Sequence, residues 1–115
     1  MNGPGKIALF AFPKTDLVPA KLRPALILGK LPGAFDDWLI CMISSQTRHC
    51  IEGFDDIISP QSPDFSTSGL KTESLIRTGR LAVVADDILL GSIGEISNQR
   101  LQRIKSNLAS WLNKT

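Results

Sequence analysis

The chain has 115 residues, 43% of them hydrophobic and 21% charged, and its 13 Lys and Arg against 11 Asp and Glu give a net charge of +2. That balance suits one soluble domain over residues 1–115 and argues against disorder; no apolar run approaches the roughly 20 residues of a membrane-spanning helix. The first residues lack the basic segment, apolar stretch and small-residue cleavage site of a secretory signal, so the expected compartment is the cytoplasm and no membrane partner is expected.

Residues 1–5 hold two glycines and a proline and form a loose lead-in. The run Lys6-Ile7-Ala8-Leu9-Phe10-Ala11-Phe12, stopped by Pro13, predicts a strand buried on both faces. Residues 13–22, with Asp16 and Pro19, predict a loop returning to the sheet. A second strand is expected over 24–28. Pro24 cannot donate to a ladder, which places it at the first residue of a strand or on an edge and puts Arg23 at the junction of loop and sheet. Pro32, Gly33, Asp36 and Asp37 supply turn chemistry before a third strand at 38–45, so the first half reads as a meander. Residues 47–56 carry no clear pattern, Ile57-Ile58-Ser59 suits a short edge strand, and 61–69, with Pro63 and several serines, reads as a mobile surface loop. Further strands are expected at 74–77 and 81–84, with short pairings at 88–90 and 93–96.

The end of the chain changes period. Leu101, Ile104, Leu108, Trp111 and Leu112 form one stripe of an amphipathic helix, with Ser97 placed to cap it. Arg100, Arg103 and Lys105 fall off the stripe and are expected to face solvent.

Cys41 and Cys50 are too few and too far apart for a zinc knuckle or a Cys-x-x-Cys pair and are expected to be free thiols, Cys41 in the core and Cys50 near a loop. Charge is unevenly spread: Lys6, Lys14, Lys21, Arg23 and Lys30 face only Asp16 in the first part, while Asp36, Asp37, Glu52, Asp55, Asp56 and Asp64 crowd the middle. Solvated loops explain this plainly; a basic groove for an anionic ligand explains it more sharply.

The inventory narrows the chemistry. His49 is the only histidine, which excludes a His–His acid–base pair within the chain and a His-rich metal site. There is no Gly-x-x-x-x-Gly-Lys-Ser/Thr loop and no Gly-x-Ser-x-Gly elbow. The pairs Asp36-Asp37, Asp55-Asp56 and Asp86-Asp87 read as turn formers rather than cation ligands, so no metal and no cofactor are expected. What remains is Arg23, whose guanidinium offers planar paired donors to a phosphate, with the hydroxyl-rich Ser44-Ser45-Gln46-Thr47. On residue types alone an ordinary protein surface accounts for both.

The order of several stretches says more. Gly5-Lys6-Ile7-Ala8-Leu9 to Phe12-Pro13, then Lys21-Leu22-Arg23-Pro24-Ala25-Leu26-Ile27-Leu28, Ile43-Ser44-Ser45-Gln46, Gly69-Leu70-Lys71-Thr72-Glu73-Ser74-Leu75-Ile76 and Ile93-Gly94-Glu95-Ile96-Ser97 together resemble the PemK/MazF family of toxin endoribonucleases over nearly the whole chain. The resemblance implies a mainly β (α+β) fold, a small twisted antiparallel sheet or SH3-like barrel with a C-terminal helix. It implies metal-independent, sequence-selective cleavage of single-stranded RNA, in which the ribose 2'-hydroxyl attacks the adjacent phosphorus and leaves a 2',3'-cyclic phosphate. Arg23 falls on the family's catalytic arginine, and Ser44 falls where relatives usually carry a phosphate-contacting threonine. Lys14, Lys21, Ser45, Gln46 and Ser74 are expected RNA contacts.

The resemblance also implies a homodimer and a cognate antitoxin whose disordered acidic tail folds into the basic groove. Departures from the family pattern are Lys6 in place of an acid, Asp16-Leu17-Val18-Pro19 in place of one branch's Gly-Ser-Glu-Gln loop, and Ala85 where some relatives have an acidic residue; Asp86 reaches that place only if the register slips, and is left out of the site. Two rival readings are a CcdB-like toxin that poisons DNA gyrase and an SH3-like binding module without catalysis. The tail Trp111-Leu112-Asn113-Lys114-Thr115 lacks the Trp-Gly-Ile ending of the first.

Overall fold

Apolar residues on alternating faces turn six segments into strands, and the computed structural model, which describes residues 2–12 and 21–115, joins them in one sheet. The strands are β1 (Lys6–Phe12), β2 (Lys21–Lys30), β3 (Asp37–Ser44), β4 (Asp56–Ile58), β5 (Ser74–Ala85) and β6 (Leu89–Glu95), with helices α1 (Phe65–Ser68) and α2 (Asn98–Lys114). The order is β4-β5-β3-β2-β1-β6 and each pairing is antiparallel. The expected meander is present as β1-β2-β3, and the edge strand at Ile57 is β4. Of the two architectures expected, the antiparallel sheet with a C-terminal helix holds; the sheet is open between its edges β4 and β6 and does not close into a barrel.

The second strand differs from expectation in a useful way. It begins at Lys21, three residues before Pro24, because β2 pairs with β1 from Lys21 opposite Phe12, while its pairing with β3 starts only at Ala25 opposite Met42. The Ile27 carbonyl accepts from the Gly5 N–H at 2.8 Å on the β1 side, and successive residues of a strand aim their backbone groups to opposite sides. Pro24 therefore faces β3, and the ladder stops at the one residue with no N–H to give. Pro24 sits inside a strand, at a local edge.

The strands expected at 74–77 and 81–84 are one strand, β5. Met42 faces Arg77 and the preceding Cys41 faces Leu81, so Thr78, Gly79 and Arg80 bulge out of register, held by the Thr78 N–H donating to Asp55 Oδ1 at 3.0 Å.

Two apolar clusters flank the sheet. On one face Ile7, Leu26, Cys41, Ile43 and Ile76 pack with Leu101, Ile104 and Leu108 of α2; on the other Ala8, Phe10, Ala25, Ile27, Trp38 and Ile40 pack together. Each helix residue so buried contributes about 1.5–3 kcal/mol before entropy is counted. Cys41 is a buried free thiol whose pKa burial pushes up to about 12, with the Asp55 charge adding; Cys50 is half-buried and free.

The α2 stripe is buried only in its first three turns. Trp111 is 48% and Leu112 57% exposed, because the last turn packs on a connecting segment rather than on the sheet: the Trp111 ring lies 5.7 Å from that of Phe54. Ser97 caps the helix as expected, its hydroxyl accepting from the Arg100 N–H at 3.2 Å.

The expectation that Arg100 faces solvent is overturned. Arg100 stands one turn before Ile104, on the buried face, and is 7% exposed. Its Nε and Nη2 donate to Asp64 at 2.9 and 3.1 Å, and its Nη1 donates to Asp56 Oδ2 at 2.6 Å and to the Ile57 carbonyl at 3.0 Å. Arg103 donates to both Asp56 oxygens, at 3.0 and 2.8 Å, and keeps half its side chain in solvent; Lys105 is half-buried. The segment 61–69 is therefore no loose surface loop: it carries α1, with Asp64 and Ser68 buried. Burial would raise the Asp64 pKa, but the bonds from Arg100 and from the Ser97 N–H outweigh it and hold the carboxyl below its ordinary value.

Candidate functional site

The interrupted ladder between β2 and β3 opens a groove of about 800 Å³. One wall is Lys21, Leu22, Arg23 and Pro24; the floor is Ile43, Ser44, Ser45 and Gln46. Consecutive residues of an extended chain point to opposite sides, so the groove runs across the strand ends and not along one face. The register Ala25 to Met42, carried two residues further, sets Arg23 level with Ser44 on the neighbouring strand.

Six of the residues expected from sequence, Lys21, Arg23, Ser44, Ser45, Gln46 and Ser74, line this groove together. Lys14 lies outside the described residues. The Ser44 hydroxyl accepts from the Gln46 N–H at 3.0 Å, which fixes its oxygen and leaves its proton free for a ligand. Ser74 differs: it is 4% exposed and its hydroxyl donates to the Thr72 carbonyl at 2.9 Å, so toward a ligand it has only acceptor capacity.

The opposite wall is residues 69–72, where sequence reasoning missed Lys71 and Thr72. Their place depends on close backbone packing. Gly69 ends α1 with φ 75°, and a Cβ there would stand 2.1 Å from the Ile93 carbonyl oxygen; at Gly94 a Cβ would stand 2.3 Å from the Thr67 carbonyl oxygen. The Leu70 N–H donates to Ser68 Oγ at 3.1 Å and continues the anchoring. In the sequence this wall belongs to the stretch Gly69 to Ile76 that carries part of the resemblance, but only Ser74 of it was expected as a contact.

Lys21, Arg23 and Lys71 bring three cations to one groove, and among the described residues no carboxylate lies within 4 Å of them. Four of the six acids that crowd the middle of the sequence are engaged elsewhere. Asp55 accepts from the Ile51 and Thr78 N–H groups, Asp56 and Asp64 hold Arg100, and Asp36 meets Lys30 at 3.0 Å. Among the described residues no three His, Cys, Asp or Glu side chains are placed to hold a metal ion. Asp86 accepts from Asn2 Nδ2 and Trp38 Nε1, both at 2.8 Å, bonds that lower its pKa. Since Trp38 pairs with Lys30, Asp86 stands at the end of β2 away from Arg23. No described helix is long and apolar enough to cross a membrane.

Such a groove suits a phosphodiester: three exposed cations, a free hydroxyl proton and an apolar rim from Leu22, Leu70 and Ile93. Comparison with known proteins adds to this. The model of the PemK-like, MazF-like toxins of type II toxin-antitoxin systems matches residues 4–112. No curated protein matches the sequence. The fold is similar to that of MazF in the MazE-MazF structure (Form II) from Deinococcus radiodurans, at TM-score 0.74 and 16% identity over 99% of this chain and 97% of that one. It is also similar to the Mycobacterium tuberculosis toxin MazF-mt6, at TM-score 0.67 and 14% identity over 94% and 96% of the two chains. An endoribonuclease in complex with its cognate antitoxin, from a mycobacterial species, gives TM-score 0.66 and 13% identity over 98% and 96%.

Proposed function

The chain belongs to the PemK-like, MazF-like toxins of type II toxin-antitoxin systems, and from that premise we propose that it is an endoribonuclease that cuts single-stranded RNA at the groove between β2 and β3 without a metal ion. The observation that carries this reading is the juxtaposition of Arg23 with Ser44, level on adjacent strands where the ladder between them ends.

The nucleophile belongs to the substrate. The 2'-oxygen of the ribose attacks the adjacent phosphorus and gives up its proton, the bond from phosphorus to the 5'-oxygen breaks, and that oxygen takes a proton to leave as a hydroxyl. The products are a 2',3'-cyclic phosphate and a 5'-hydroxyl end. The protein must orient the backbone and stabilise the added charge on the phosphorane. Arg23 does the second with the paired donors of its planar guanidinium. Ser44, its oxygen pinned by Gln46, donates its free proton to a non-bridging oxygen. Lys21 and Lys71 hold the flanking backbone, while Ser45, Gln46 and Thr72 offer hydrogen bonds to sugar or base. The same cations suit an acidic segment of an antitoxin, which would compete with RNA and lower cleavage.

The test is incubation of the purified protein with a long single-stranded RNA in EDTA. Cuts bearing cyclic-phosphate ends are expected, and Arg23→Ala should lower the rate by about 10² to 10³, the usual cost of losing one transition-state donor. Intact RNA, or full activity in a folded Arg23→Ala protein, would sink the reading.

A further inference from the structure

A second set of cations lies beyond the groove. Arg77 and Arg80 line a hollow of about 200 Å³ together with Ile51, Phe54, Asp55 and Gly79. Arg80 belongs to the three-residue bulge of β5 and is exposed, and Arg77, immediately before that bulge, is half-buried. Arg48 is exposed on the short 3-10 turn Thr47–His49, which continues directly from the groove-lining Ser44 to Gln46 and lies against β5. Among the described residues no carboxylate comes within 4 Å of any of these three guanidiniums. Asp55 shares the hollow, but it is 8% exposed and both its oxygens accept from backbone N–H groups, of Thr78 and Ile51.

The register connects this patch to the groove. Ala25, Met42 and Arg77 form one row across β2, β3 and β5, and Arg23, Ser44 and Leu75 form the row two residues away. Paired residues share a sheet face, as do residues two apart, so Arg23, Ser44 and Arg77 stand on the same face. Two strand spacings across and one two-residue step along put the Arg23 and Arg77 backbones about 12 Å apart. We propose that Arg48, Arg77 and Arg80 form a second phosphate-binding surface that holds the backbone of the same RNA beyond the cleaved bond, on the β5 side of the groove. This rests on the reading of the groove as an RNA site. The continuity of the shared face favours a strand passing from one set of cations to the other over an unrelated anion.

Binding of fluorescently labelled RNA, 2'-O-methylated to prevent cleavage, across a salt series tests it with a long and a short oligonucleotide. For Arg77→Gln/Arg80→Gln the long RNA should bind about ten-fold more weakly at low salt, and the log–log salt slope should fall by about 0.7 for each phosphate deprived of its guanidinium. A short oligonucleotide that fills only the groove should bind both proteins alike, and short RNA should be cleaved at the wild-type rate. If loss of Arg77 unfolds the chain, Arg48→Gln/Arg80→Gln, which changes two exposed residues, must show the same loss for long RNA. An unchanged slope and affinity for long RNA overturns the proposal while leaving the groove's function standing. If the variants bind long RNA normally but polyglutamate more weakly, the surface serves an acidic protein and the proposal is overturned. Failure of the wild-type protein to bind either RNA overturns both readings.

Discussion

Gly94 has no side chain, and the groove depends on that. A Cβ added at 94 would fall 2.3 Å from the Thr67 carbonyl oxygen and 2.4 Å from the Ser68 carbonyl carbon, backbone atoms that have no rotamer in which to yield. Gly94→Ala must push α1 away from β6 and carry with it the wall that bears Lys71 and Thr72. The expected cost is on the order of 2–3 kcal/mol, at the upper end for overpacking, visible as a lower urea midpoint and accompanied by weaker RNA cleavage. Wild-type stability in that variant would show that the contact is not tight. At this scale the sequence was half legible. Pro24 placed Arg23 at the junction of loop and sheet, a local signal, but on residue types alone Arg23 and Ser44 read as ordinary surface, and only the resemblance singled them out. Lys71 could not be found, because its place is set by Gly69 packing on Ile93 and Gly94 packing on Thr67 and Ser68, contacts between distant parts of the chain that exist only after folding.

The elements show the same division. Strand β1 and the cap of α2 follow from local periodicity and one serine. The burial of Arg100 does not: by charge it belongs outside, and only the approach of Asp64 from a segment that reads as loose loop, and of Asp56 from the start of β4, makes its position inside tolerable. Arg100→Met leaves Asp64 buried without a cation, while Asp56 keeps Arg103. A loss of about 3–5 kcal/mol is expected, the range for breaking a buried ion pair by deleting one member, measured by urea unfolding at neutral pH. The pH dependence has a definite sign. Asp64 is held below the ordinary aspartate value, so its contribution is complete above that value and is lost as pH falls through the lower, folded one. The wild-type protein should therefore lose stability in that acid window more steeply than Arg100→Met, in which Asp64 no longer meets the arginine. Parallel acid transitions for the two proteins would contradict this.

For the whole molecule, folding sorts the charges. Asp36, Asp55, Asp56 and Asp64, from the middle of the sequence, end in the interior or in pairs, while Lys21, Arg23, Arg48, Lys71 and Arg80 remain on the surface. A net charge of +2 conceals this arrangement. Large apolar side chains also remain outside, including Leu22, Val83, Leu90, Trp111 and Leu112, each about half exposed. Such surface favours self-association, and light scattering at micromolar concentration should find a homodimer; a monomer would count against it. The interruption of the sheet at Pro24 has a last consequence for durability. Two strands left side by side will zip together wherever donors and acceptors match, and a cleft between them would then exist only while something propped it apart. Here the ladder is stopped by a covalent ring standing where a hydrogen would be, so the gap between these two strands needs nothing to prop it apart. That gap, though not the far wall of the groove, should persist wherever the sheet itself survives.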